Sequence, residues 1–240
     1  MSQPTASSRN RLLAIGDIHG CATAFRRLTD FARIGPDDVV VTLGDYINRG
    51  PDTKGVVDQV LDLAHRTTLI PLMGNHERML LAALQSRSAL IDWLACGGEE
   101  TLQSYGAKTW DDLPVAHLEF IRQCRLVHET ATHVFVHANL DPFTPVEAQG
   151  EEALLWRHLE EEPVPHVSGK TMICGHTPQR TGLPTNFGHT VCIDTDAQRG
   201  GWLTCLDVLS GRYWQANEST QTRADVLEFT ADSNFENAGY

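Results

Sequence analysis

A single α/β domain organised around a mainly parallel sheet is the fold this sequence predicts, on three observations. Short apolar runs rich in β-branched residues alternate with stretches of helical spacing. Brief connections join them, which is the pattern of strands linked by crossover helices. Five short polar turns, four of them opened by glycine, each follow an apolar run, so they lie where strands hand over to loops.

The elements follow in order. Residues 11–15 (RLLAI) read as a buried strand, and 22–34 carry helical spacing through Ala24, Phe25, Leu28, Phe31 and Ala32. Residues 38–43 (DVVVTL) make a second strand. A helix over 53–65 buries Val56, Val57, Val60, Leu61 and Ala64. Residues 67–72 (TTLIPL) form a third strand, and 78–84 return to helix. Between 86 and 125 the pattern changes to a helical insertion, with helices at 89–95, 99–105 and 113–124 separated by Gly97-Gly98 and Gly106. Strand character resumes at 125–129, 133–136, 171–174, 191–194, 202–208 and 213–216, the last two joined by a turn at Ser210-Gly211. Residues 1–10 read as a flexible polar leader, 11–216 as one domain, and 217–240 as a polar tail, weakly apolar at Val226, Leu227 and Phe229.

Composition narrows the function. The chain has 240 residues, 41% of them apolar and 21% charged, as in ordinary globular proteins. Its net charge of -12 argues against a nucleic-acid binder, which would carry a basic stripe. No run reaches the roughly 20 apolar residues that cross a bilayer, and the N-terminus lacks a signal core. The six cysteines are scattered without a C-x-x-C pair, which fits small buried side chains in a reducing cytoplasm. The expectation is a cytoplasmic protein with no nucleic-acid or membrane partner.

The five turns carry the chemistry. They are GDIHG at 16–20, GDYINRG at 44–50, GNHE at 74–77, His137-Ala138-Asn139, and Gly175-His176-Thr177. Together they supply Asp17, His19, Asp45, Asn75, His137 and His176. Strand exits are where an open α/β sheet leaves a crevice. Asp17 and His19 stand two apart and can turn toward one ion, while the two oxygens of Asp45 can bridge two cations. Mixed O and N donors suit manganese, iron or zinc better than calcium or a thiolate site. The remaining histidines, His65, His117, His128, His133, His158, His166 and His189, are read as surface or structural.

At these residues, from about Arg11 to Asp207, the chain resembles the metal-dependent phosphoprotein phosphatases of the calcineurin-like metallophosphoesterases. It is most similar to the small bacterial and phage serine/threonine phosphatases. The resemblance implies a β-sandwich flanked by helices around a βαβαβ metal-binding core. It implies two divalent ions, manganese foremost: Asp17 and His19 on the first, Asp45 shared, and Asn75, His137 and His176 on the second. It implies His76 as general acid, and Arg49 and Arg157 as clamps on the phosphoryl oxygens. The implied reaction is attack of a metal-bridging hydroxide on a phosphoserine or phosphothreonine of a protein substrate. Cys21 is excluded as nucleophile: Arg27 stands at C-x₅-R spacing from it, but within the helical stretch read at 22–34 rather than in the phosphate-binding loop of cysteine phosphatases.

Three positions depart from the family pattern. Asn48 stands where most protein phosphatases have an aspartate paired with the catalytic histidine. Diadenosine tetraphosphate hydrolases also lack that aspartate, so a nucleotide-anhydride hydrolase is the alternative, with a catalytically weak metal-bound interaction protein third. Asn139 replaces a glycine, a change that tolerance of left-handed backbone would make benign. Asp196 replaces another glycine and adds a carboxylate near the rim.

Overall fold

The computed structural model describes residues 10–227, so the expected leader lies outside the described residues except for Asn10. Three parallel strands, β1 (Leu12–Ile15), β2 (Val39–Thr42) and β3 (Thr68–Pro71), alternate with α1 (Ala22–Phe31) and α2 (Thr53–Arg66). Their nearly unbroken apolar sequences fit strands covered on both faces. Pro71, which has no N–H to give a ladder, ends the edge strand. The next helix, α3 (Asn75–Ala83), starts three residues earlier than periodicity predicts. Its first turn is the polar GNHE motif itself, which carries no apolar signal.

The insertion folds as α4 (Arg87–Trp93), α5 (Glu99–Tyr105) and α6 (Val115–Gln123). A wide turn over Leu94–Gly98 joins the first two, and Gly97 within it has φ 101°. The second half supplies β4 (Val127–Glu129), β5 (His133–Val136), α7 (Glu151–Trp156), β6 (Thr171–Cys174), β7 (Thr185–Asn186), β8 (Thr190–Cys192) and β9 (Asp194–Thr195). It closes with β10 (Trp202–Asp207), β11 (Arg212–Ala216) and β12 (Thr222–Val226).

These strands make two sheets rather than one. The first runs β12-β11-β10-β1-β2-β3, with β9 also on β10, and the second runs β4-β5-β6-β8-β7. Strand β10 joins β1 antiparallel, so the parallel core is extended by an antiparallel meander. Between the sheets lie Ala14, Val41, Leu43 and Leu72 against Phe135, Ile173, Val191 and Ile193. On its outer face the first sheet packs its helices through Leu13, Ile15, Phe25, Leu28, Val57 and Trp93. The second packs α7 through Leu154 and Leu155. The result is a two-sheet sandwich with helices on both outer faces.

Part of the region read as a polar tail is an edge strand. β12 is exposed and polar, so it lacks a core signal, yet Arg223 fastens it: the guanidinium donates to Gln215 Oε1 at 2.6 Å and to Gly182 O at 2.6 Å, and lies 4.2 Å from the Trp202 ring centre. Among the described residues no helix is long and apolar enough to cross a membrane. Since Phe135 is fully buried between the sheets, Phe135→Ala is expected to cost about 3–5 kcal/mol of stability. A urea midpoint that does not move would contradict this account of the interior.

Candidate active site

The exits of β1, β2, β3, β5 and β6 meet at one edge of the sandwich. Several site residues adopt left-handed backbone there: His19 (φ 44°), Asp45 (50°), Asn48 (70°), Arg49 (66°) and His176 (60°). Such conformations are costly away from glycine and persist only where surroundings impose them. Glu77 imposes much of it. Its buried carboxylate accepts N–H bonds from Gly74 at 2.9 Å, Asp45 at 2.8 Å, Tyr46 at 2.8 Å and Ile47 at 3.2 Å. Burial and the Asp45 carboxylate push Glu77 up to about 7, against the pull of those donors. Glycine is required alongside: a Cβ on Gly74 would strike the Asp45 carboxylate, and one on Gly175 the Asp17 carboxylate.

The geometry brings donor atoms into two groups, His19–Asp45–His76 and Asp45–His137–His176, each within 4.8 Å. Hydrogen bonds to carbonyls fix which nitrogen of each ring is free. His19 Nδ1 donates to Ile47 O at 3.0 Å, leaving an Nε2 lone pair 3.2 Å from Asp45 Oδ2. His137 Nδ1 donates to Leu43 O at 2.9 Å. Its Nε2 lone pair then faces Asn75 Oδ1 at 3.0 Å and Asp45 Oδ1 at 3.6 Å. His176 Nε2 donates to Trp156 O at 3.2 Å, which frees Nδ1. Carbonyl-bound imidazoles of this kind are the usual ligands of metal sites.

Acceptors that face acceptors need a cation between them. The carboxylates require one as well. Burial, and the Asp194 and Asp45 charges, push Asp17 well above the usual carboxylate range. Asp45 is held well below it: burial opposes ionisation, but the imidazoles of His137, His76 and His19 outweigh that cost. Burial pushes Asp194 up to about 6. The donor set of carboxylates, an amide oxygen and imidazoles fits divalent metal ions. Asp17 belongs to neither tight group; it receives the His176 N–H at 3.1 and 3.2 Å and lines the cavity above.

His76 differs from the ligands. Thr101 Oγ1 donates to Asn48 Oδ1 at 2.9 Å, and Asn48 Nδ2 donates to Cys96 O at 3.3 Å, which fixes the amide's orientation. Asn48 Nδ2 therefore donates to His76 Nδ1 at 2.7 Å, and the ring proton sits on Nε2, 4.0 Å from Asp45 Oδ2. Burial pushes His76 down to about 3, so the ring is neutral around neutral pH. The helical insertion supplies Thr101 and Cys96, and so holds this pair. Asp196 makes no contact with His76; it has φ 61°, the left-handed backbone that explains why glycine suits that position. Asn139, by contrast, is not left-handed, so the conformational reason for its tolerance falls away. Cys21 is fully buried and pushed up to about 12, consistent with its exclusion as nucleophile.

A cavity of about 390 Å³ opens over the site, lined among others by Asp17, Asp45, Arg49, Asn75, His76 and His176. Arg49 Nη1 lies 3.2 Å from His19 Nε2. Arg157 is not brought into this cavity. It caps α7 and turns to Glu152 at 3.3 Å and Asp141 at 3.7 Å, while its neighbour His158 enters the lining and stacks on His176 at 4.6 Å. The chain leaves helical geometry at Arg157 (ψ 116°), which redirects the next side chain. Sequence reading missed His158, Glu77, Arg180 and Arg199; only Glu77 left a signal, as an acid in the first turn of a helix.

Comparison with known families agrees with this geometry. The model of the calcineurin-like phosphoesterases matches residues 10–208. This chain belongs to that family. Serine/threonine-protein phosphatase 1 of Salmonella typhimurium is 32% identical over 209 residues, which cover 83% of this chain and 92% of that protein. A symmetrical bis(5'-nucleosyl)-tetraphosphatase of Nitrosospira multiformis is 33% identical over 138 residues, 57% of this chain and 46% of that protein. Among solved structures, a cold-active protein-tyrosine phosphatase of a Shewanella species superposes with TM-score 0.66 at 14% identity, covering 90% of this chain and 80% of that one; it speaks for the fold alone. As a calcineurin-like phosphoesterase, the protein is a metal-using hydrolase. Chelation is expected to abolish hydrolysis of p-nitrophenyl phosphate and added Mn²⁺ to restore it, with Asp45→Asn losing metal and activity together. Full turnover by a verified metal-free preparation would contradict the site. Glu77→Gln is expected to lose about 3 kcal/mol of stability, because an amide cannot accept all four N–H groups.

Proposed function

We propose that this phosphoesterase removes phosphate from phosphoserine and phosphothreonine in proteins, at a site holding two divalent ions. One observation carries the protein substrate. Trp156, 40% exposed, walls both the polar cavity and a second, more apolar one of about 240 Å³ formed with Met79, Ala82 and Ala89. A phosphorylated side chain can enter the first while neighbouring residues of its chain rest against the second. The similarity to the Salmonella protein phosphatase, over nearly all of that protein's length, points the same way.

Asp17, His19, Asp45, Asn75, His137 and His176 would hold the metals, whose chemistry there would be to neutralise phosphoryl charge and activate water. The chain's own residues do the rest. The Arg49 guanidinium binds phosphoryl oxygens as a fork of donors. The His76 Nε2–H faces the cavity and supplies the proton donor for the departing oxygen. His76→Asn is expected to lower kcat/KM on a phosphoserine peptide by roughly 10²–10⁴-fold, and on p-nitrophenyl phosphate by far less, because nitrophenolate leaves without a proton. Equal losses on both substrates would remove His76 from that role.

The Asn48–His76 bond also favours a second reading. A neutral imidazole is a weaker acid than an imidazolium, which handicaps alkoxide departure more than departure of a phosphate from a nucleotide anhydride. Hydrolysis of diadenosine polyphosphates is therefore the alternative, and similarity to the Nitrosospira tetraphosphatase agrees with it. Asn48→Asp separates the two. A carboxylate beside Nδ1 favours the cation, so the His76 pKa rises and its proton is kept to higher pH. The alkaline limb for phosphoserine peptides is expected to move up and their turnover to increase, with p-nitrophenyl phosphate little changed. Phosphopeptide turnover below that of diadenosine tetraphosphate, in both the wild type and the Asn48→Asp variant, would favour the nucleotide reading. Absence of turnover on any substrate would leave only a metal-bound interaction protein.

A further inference from the structure

We propose that Arg180 and Arg199 form a second anion subsite at the cavity mouth, which binds an acidic side chain flanking the phosphorylated residue of a substrate peptide. It rests on the protein-phosphatase reading and names its preferred sequences.

The lining of the cavity carries the argument. Its two carboxylates, Asp17 and Asp45, are both among the metal ligands, whereas its three guanidiniums are Arg49, Arg180 and Arg199. One phosphoryl group is met by the metals and Arg49, which leaves two exposed arginines facing the same space. Neither has a hydrogen-bond or ion-pair partner for its side chain among the described residues. That contrasts with Arg11, Arg78 and Arg157, which are neutralised by Asp38, Glu151 and Glu152. Asp196 is only three residues from Arg199, but it neither lines the cavity nor pairs with these arginines.

The supporting backbones are fixed, so the arginines are not trailing loop ends. Arg180 follows Gln179, whose N–H donates to Asp194 O at 2.8 Å and whose Nε2 donates to Thr177 O at 2.7 Å. Thr185 Oγ1 donates to Gln179 Oε1 at 2.5 Å. Arg199 ends a 3₁₀ turn, Ala197–Arg199, bounded by left-handed Asp196 and Gly200. Two unpaired guanidiniums on fixed backbones favour a carboxylate in preference to a neutral side chain, by an interaction that salt weakens.

The test compares two phosphoserine peptides of equal length, with three flanking residues either aspartate or asparagine, on the wild-type enzyme and on the double variant Arg180→Gln/Arg199→Gln. The wild type is expected to prefer the acidic peptide about tenfold in kcat/KM, through KM, with the preference shrinking as salt rises. In the double variant the ratio should fall to about one, and Arg180→Lys/Arg199→Lys should regain most of it. Non-hydrolysable phosphonate versions of both peptides, used as inhibitors of p-nitrophenyl phosphate turnover, read binding apart from catalysis. An acidic-to-neutral ratio of inhibition constants that is one in the wild type, or the same in the double variant, would overturn the subsite. Failure of both phosphopeptides to turn over, while p-nitrophenyl phosphate does, would instead remove the protein-phosphatase reading. Loss of diadenosine tetraphosphate hydrolysis in the double variant, without loss of acidic-peptide preference, would reassign the arginines to polyphosphate and overturn the peptide proposal.

Discussion

Four backbone N–H groups converge on one buried carboxylate, that of Glu77, and the active site depends on this convergence. The donors come from the loop after β2 and the turn after β3, so one side chain sets the relation of two strand exits. With those loops fixed, Asp45 is held in left-handed backbone between His19, His76 and His137. Four N–H bonds to one side chain let the protein sustain several adjacent residues in conformations that are individually unfavourable.

The electrostatics follow from the same crowding. Asp17, Asp45 and Asp194 are each at most 3% exposed, a density of negative charge that a folded interior does not tolerate without cations. Among the site imidazoles, His19 is drawn toward its charged form, burial being outweighed there by the Asp45 carboxylate, and the others are not. Burial pushes His137 and His176 down, His176 to about 4, so they stay neutral and keep lone pairs available. The backbone carbonyls of Ile47, Leu43 and Trp156 choose which nitrogen carries the lone pair. Ligand geometry is thus written largely in main-chain contacts, which the side-chain sequence states only indirectly.

That division explains what could be read from the sequence. The first three strands and their helices were legible because apolar periodicity reports burial. The turns that meet at the site were legible because Asp, His and Asn beside glycine at strand exits are a rare combination. Sequence similarity, not periodicity, indicated the second sheet. A two-residue W-R signal does not say which of two adjacent side chains follows when a helix ends: Arg157 turns to Glu152 and Asp141, and His158 lines the cavity. Arg180 and Arg199 were invisible for a related reason. They are exposed arginines in loops, and only the fold brings loops 19 residues apart to one rim. Strand β12 was missed because its exposed, polar residues are held by Arg223 contacts rather than by an apolar face.

The central proposal is that Asp45, held by the loops that Glu77 joins, would be shared by two divalent ions. Anomalous diffraction from crystals grown with Mn²⁺ tests it most directly. The account predicts two manganese peaks per chain, one on each side of the Asp45 carboxylate, the first reached by Asp17 and His19 Nε2 and the second by Asn75 Oδ1, His137 Nε2 and His176 Nδ1. A single peak, or two peaks neither of which touches Asp45, would contradict it.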